Sequence, residues 1–168
     1  AEDHGYDFAM MRGVIEVNDE QLERMVDKIA RAAGRPFHDL TGVTVGALGL
    51  TFKAGTDDLR ESPALAIIAE LRANGAQVRA FDPTTLGELT DHHRSVLAGI
   101  ELLDEPLATA DGADVVAVVT EWPVFAKIDL GQLAARSRSG VTIVDTRNLL
   151  DPDEVRAAGV GYDGVGRR

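Results

Sequence analysis

A six-residue run, Asp114–Val119 (DVVAVV), constrains this chain more than any other feature. Beyond its first aspartate it carries no polar residue, so neither of its faces can look onto water. Strands that read as continuous apolar runs belong to parallel sheets covered on both sides. Val43–Leu48 and Val141–Val144 repeat the pattern. Segments with helical spacing lie between these runs. Pro63–Ala73 puts Leu65, Ile68 and Leu71 on one face and stops at Gly75. Gln77–Phe81 reads as a strand closed by Asp82-Pro83. Thr85–Leu97 contains a helix interrupted at Gly87, Ile100–Leu103 a short strand, and Leu107–Asp111 a helical turn. A helical stretch within Val124–Arg138 and a last helix, Asp151–Ala158, lead to Val160–Tyr162 and a Gly/Arg tail. This alternation predicts a three-layer, Rossmann-like α/β fold: a mostly parallel sheet with helices on both faces.

Ahead of the sheet, Leu22, Met25, Val26, Ile29 and Ala33 share one face of a helix, with Glu20→Arg24 and Asp27→Arg31 pairs on its polar side. Asn18 followed by Gln21 reads as a capping box that would start this helix near Asp19. A single longer helix that takes in Val14, Ile15 and Val17 is the alternative. Gly34-Arg35-Pro36 ends it. Residues 1–12 show no clear period. The division is therefore an N-terminal segment and helix, 1–36, and an α/β domain, 37–168.

Composition narrows the function. The 168 residues contain no cysteine, which excludes disulfides, a thiol nucleophile and thiolate metal sites. No apolar run reaches the length of a membrane span, and no signal-peptide pattern opens the chain, so a cytoplasmic protein is expected. A net charge of −11 opposes general attraction to nucleic acid or anionic membranes. The four histidines are scattered, and Asp57-Asp58 lacks a spaced third carboxylate, so neither a catalytic residue nor a metal site is expected. A small phosphorylated ligand needs only a few local cations.

Such cations follow the first strand. Val43–Leu48 passes through Gly49 into a polar loop carrying Lys53, Asp57, Asp58, Arg60 and Glu61, after which Ser62-Pro63 opens a helix. Ser62 is placed as N-cap, its oxygen accepting from the helix's first N–H groups, and Pro63 sits at N1, where no donor is needed. A strand, a charged loop and a helix start in this order can hold an anion at the carboxyl rim of a sheet. The loop is not a dinucleotide fingerprint, because Gly46, Gly49 and Gly55 miss its spacing and thirteen residues separate Gly49 from the helix. It is not a Walker loop either. Lys53 and Arg60 either reach a phosphate or pair with Asp57, Asp58 and Glu61. Arg147, after the strand Val141–Val144, either clamps a phosphate or pairs with Asp145 or Asp151. Trp122 fits core packing, with Glu121 as a cap for the following helix.

The residues Leu48–Pro63, LGLTFKAGTDDLRESP, closely resemble the opening of the C-terminal, UDP-binding domain of the UDP-glucose/GDP-mannose dehydrogenase family. The resemblance continues through Gly75-Ala76-x-Val78, Phe81-Asp82-Pro83, Thr120-Glu121-Trp122-Pro123-x-Phe125 and Asp145-x-Arg147-Asn148. Gly13–Lys28 is similar to the family's long interdomain helix, which implies the single long N-terminal helix over a start at Asp19. The one departure in the opening motif is Ala54, where proline is usual. The resemblance implies an enzyme that oxidises a nucleotide sugar twice with NAD, UDP-glucose to UDP-glucuronate being the first expectation. GDP-mannose, UDP-N-acetylmannosamine or UDP-N-acetylglucosamine as substrate is the second, and a non-catalytic nucleotide-binding or dimerisation module the third. By resemblance, Phe52, Lys53 and Arg147 bind the UDP-sugar, Arg60 approaches NAD, and the N-terminal helix forms a homodimer core. Without a glycine fingerprint or a cysteine, these residues would be the C-terminal part of a larger polypeptide and inactive alone.

Overall fold

The computed structural model describes residues 9–167. A helix α1 (Ala9–Ala32) precedes a six-stranded sheet built from β1 (Thr44–Leu48), β2 (Gln77–Phe81), β3 (Glu101–Leu102), β4 (Val115–Val118), β5 (Thr142–Asp145) and β6 (Gly161–Gly164). Between strands lie α2 (Pro63–Ala73), α3 (Asp91–Val96), α4 (Leu130–Arg136) and α5 (Pro152–Ala157), with 3₁₀ turns at Pro83–Leu86, Pro106–Ala110 and Phe125–Lys127. Every strand pairing is parallel, in the order β3-β2-β1-β4-β5-β6. The chain thus leaves β1 in one direction to build β2 and β3, then returns to its other side for β4. That reversal opens a crevice between the carboxyl ends of β1 and β4, where ligands bind in open α/β sheets.

The apolar runs divide their residues between two cores. Val45, Val115, Ala117 and Val144 pack beneath α1 and α2, while Val116, Val118 and Ile143 pack on the other face, with Leu133 of α4 and Val155 of α5. Each of these side chains is at most 2% exposed, and burying a valine or leucine fully is worth about 1.5–3 kcal/mol before chain entropy is counted. Gly46 lets the Pro106–Ala110 turn lie flat on β1, since a side chain there would run into the carbonyl of Thr109.

Several expectations need correction. The local capping-box reading is the one that fails: α1 runs unbroken through Asn18 from Ala9, so the longer helix that the family resemblance implies is the one formed. Upstream turns already supply the carbonyls for the N–H groups that a cap would serve. Its first four residues fall inside the stretch read as lacking a period; residues 1–8 lie outside the described residues. Its end is as expected: Gly34 adopts φ +67° and accompanies paired bonds from Gly34 N to Arg31 O and from Arg35 N to Ala30 O. Ser62 stands at the N-cap of α2, but its hydroxyl does not cap. It is buried and donates to the Leu50 carbonyl at 2.7 Å, tying the start of the helix to the start of the loop. The helix expected within Thr85–Leu97 is α3, and the interruption at Gly87 separates it from the 3₁₀ turn Pro83–Leu86.

Candidate functional site at the carboxyl rim

The loop Leu50–Glu61 leaves β1 at Gly49, whose φ of +103° and contact with Thr120 leave no room for a side chain. Asp82, one residue beyond β2, holds the base of this loop. Its fully buried carboxylate accepts from Leu50 N (2.7 Å), Thr51 N (3.2 Å), Thr51 Oγ1 (3.3 Å) and Trp122 Nε1 (3.1 Å) on one oxygen. Its other oxygen accepts from Thr84 N and Thr84 Oγ1. Thr120, just past β4, donates its hydroxyl to Thr51 O at 2.8 Å. The ends of β1, β2 and β4 are therefore one hydrogen-bonded unit. Sequence reasoning noted Asp82 only as the close of a strand; a carboxylate directly after a buried strand and two residues before a threonine was the available signal.

From this base the loop carries Phe52 and Lys53 outward. Phe52 is 47% exposed and lines a groove of about 710 Å³ between α1 and α2, with Leu22, Met25, Pro63 and Ile67. Lys53 is exposed and, among the described residues, enters no ion pair. Arg60, by contrast, is committed: it makes two guanidinium bonds of 2.9 Å to Asp58. Those bonds, with the Arg60 backbone N–H, hold the Asp58 carboxyl at a pKa of about 2. Of the two cations weighed in the loop, one is paired and one has no ion pair among the described residues.

Arg147 comes to the same rim from β5, two strands from β1 and so roughly 10 Å away at the level of the strands. Asp145 shapes its turn, accepting Arg147 N at 3.0 Å on one oxygen, and Leu150 N (2.9 Å) and Tyr162 OH (3.3 Å) on the other. The Arg147 side chain pairs with neither Asp145 nor Asp151. Its Nε donates to Val119 O at 2.9 Å and lies 3.3 Å from Glu121 Oε2, so Glu121 is an arginine partner and not a helix cap. Asn148, at φ +53°, grips Val165 from both sides of its amide, at 3.0 and 3.1 Å. Lys28 of α1 reaches the same tail, pairing with Asp163 and bonding Gly164 O at 3.0 Å.

Burial, and then the charge of Asp145, push the Tyr162 hydroxyl up to about 12 from an ordinary value near 10. The folded protein keeps this proton after the unfolded chain has lost it. Stability from this group is therefore complete below about pH 10 and falls as pH rises toward 12. Urea midpoints measured across that range should drop more steeply for the parent than for Tyr162→Phe; parallel curves would refute the linkage.

The same geometry bears on NAD. A dinucleotide cradle needs the helix to follow the first strand directly, with an acid at the end of the second strand free for a ribose hydroxyl. Here thirteen residues intervene, and the acid in that place, Asp82, is buried with its oxygens occupied. These residues do not fit that cradle. No group of three or more His, Asp or Glu among the described residues is placed to hold a metal, and no helix among them is long and apolar enough to cross a membrane.

Comparison with known proteins bears on the fold and the family. The model of the UDP-glucose/GDP-mannose dehydrogenase family, UDP binding domain, matches residues 46–152. A UDP-glucose 6-dehydrogenase of Rhizobium meliloti (strain 1021) is 34% identical over 99% of this chain and 36% of its own length. One from Rickettsia bellii (strain RML369-C) is 37% identical over 96% of this chain, again 36% of its own. The structure of a UDP-glucose dehydrogenase from the hyperthermophilic archaeon Pyrobaculum islandicum superposes with a TM-score of 0.75, at 29% identity, over 97% of this chain and 33% of that one. The chain thus spans about a third of the length of the relatives it matches.

Proposed function

Because this chain belongs to the UDP-glucose/GDP-mannose dehydrogenase family, through that family's UDP binding domain, we propose that it is the substrate-nucleotide domain of an NAD-dependent UDP-glucose 6-dehydrogenase. Residues 37–168 form the nucleotide-sugar domain, and the segment 1–36 supplies a helix that joins domains and pairs two copies. The whole enzyme oxidises UDP-glucose to UDP-glucuronate in two steps and works in the cytoplasm. Lys53 and Arg147 grip the diphosphate from two sides of the β1–β4 crevice, and Phe52 packs against the sugar nucleotide. NAD lies on a part of the enzyme outside these residues, with Arg60 at the edge of its site.

The observation that carries this reading is the unequal treatment of the rim's cations. Arg60 is satisfied by Asp58, whereas Lys53 enters no ion pair among the described residues and Arg147 is held by only one edge of its guanidinium. An exposed lysine without an ion pair among the described residues and an arginine whose outer guanidinium nitrogens are unengaged, on loops that leave the same rim of the sheet, suit a diphosphate.

Calorimetric titration tests it: UDP should give a binding heat with this chain, and GDP a weaker one or none. Equal heats would favour another nucleotide sugar; the absence of both would reject the assignment. The chain alone should give no NADH from UDP-glucose and NAD, since it has neither a cysteine nor a glycine cradle. NADH above a buffer control would overturn that expectation.

A further inference from the structure

The carboxylate of Glu121 is the anomalous group at this rim. The side chain is 41% exposed, yet its Oε2 is sealed from solvent and accepts no hydrogen bond. Folds rarely leave a buried polar atom in that condition, because nothing replaces the water it has lost. The charge facing that oxygen is Arg147, with Nε 3.3 Å away. That Nε already donates to Val119 O at 2.9 Å, so fastening the guanidinium does not require the acid.

We propose that Glu121 is a positioning residue, which fixes the plane of the Arg147 guanidinium so that its outer edge faces the nucleotide diphosphate. A single carbonyl acceptor lets a guanidinium swing about its one bond. A carbonyl and a carboxylate on the same Nε edge define a plane. The opposite edge, whose two Nη atoms have no protein partner among the described residues, is then directed away from β4 and toward the rim. A planar fork held in this way offers two parallel N–H donors to one phosphate without first having to be ordered. A sealed carboxylate oxygen without a hydrogen bond is a cost to the fold that a role toward the ligand accounts for.

This inference rests on the role given to Arg147 in the proposed function, and the experiment separates the two. UDP is titrated calorimetrically into the parent chain and into Glu121→Ala, Glu121→Gln and Arg147→Ala, with thermal unfolding recorded for each. Glu121→Ala should weaken UDP binding about tenfold, the equivalent of one hydrogen bond. Its melting temperature should hold or rise, because the sealed oxygen it removes accepts no hydrogen bond. Glu121→Gln should stay within about threefold of the parent, since its amide oxygen can take the place of Oε2 facing Nε. The ¹⁵N signal of the Arg147 Nε–H should be ordered in the parent and in Glu121→Gln, and mobile in Glu121→Ala.

Arg147→Ala losing UDP while Glu121→Ala binds it like the parent would overturn the positioning role alone. Affinity and melting temperature falling together, without rescue by glutamine, would also overturn it by revealing a merely structural acid. A parent chain that gives no UDP heat, or an Arg147→Ala variant that binds UDP unchanged, would overturn the reading of the site and this inference with it.

Discussion

Asp82→Ala is expected to cost about 3–5 kcal/mol of folding stability, the range for breaking a buried, fully partnered charge. Six donor contacts converge on this carboxylate, including the backbone N–H groups of Leu50 and Thr51 and the indole of Trp122. The site is completely enclosed, so water cannot take over those donors. Against a total stability of about 5–15 kcal/mol for an ordinary domain, the loss would be severe. Asp82→Asn keeps one acceptor but turns an NH₂ toward donors, and should fall between the alanine variant and the parent. Urea denaturation followed by fluorescence of Trp122, the single tryptophan, reads both. A loss under about 1 kcal/mol for the alanine variant would mean that the three loop bases are held together by packing instead.

Arg147→Ala should remove the calorimetric heat of UDP binding, and Lys53→Ala should weaken binding about tenfold. The difference follows from the donors: arginine offers a fork that can make two charge-assisted bonds, each worth about 1.5–3 kcal/mol, while lysine acts as a single point charge. Lys53 is exposed and unpaired among the described residues, so its loss should leave the melting temperature unchanged. Arg147 donates to Val119 O and pairs with Glu121, so its removal should also lower the melting temperature slightly. Unchanged affinity in both variants would show that the diphosphate, if bound, lies elsewhere.

Much of this architecture is legible in the residues. The continuous apolar runs announce β1, β4 and β5, because only a strand covered on both faces can dispense with polar positions. The fourth inner strand, β2, is found from its short alternating pattern between Gly75 and Asp82-Pro83. β6 is not, because Gly161-Tyr162-Asp163-Gly164 has two glycines and an aspartate where strands favour branched or aromatic residues. It becomes a strand through context: Gly161 lies against Thr142, and Gly164 fits beside Asn148 and Tyr162. The capping box at Asn18 and the N-cap of Ser62 misled for a shared reason. Local spacing shows which bonds a side chain is able to make, whereas competing partners decide which it does make, and Ser62 turns to the buried carbonyl of Leu50.

The site divides along the same line. Its cations are readable, since a charged loop after one strand and an arginine after another must share a rim if the sheet is parallel. Their pairing states are not. Nothing in the spacing says that Arg60 closes on Asp58 while Lys53 stays open, or that the partner of Arg147 comes from the end of β4 and not from its own turn. Those outcomes depend on strand order, which brings together residues distant in the chain.

That order also has a kinetic consequence. β1 meets β2 across a short stretch, but it meets β4 through a ladder opened by Thr44 and Asp114, 70 positions apart. Closing so long a loop costs entropy before any contact rewards it, so this junction belongs to the slow phase of folding. Lys53 and Arg147 lie on opposite sides of this junction, so the rim that carries both is complete only once β1 and β4 have paired.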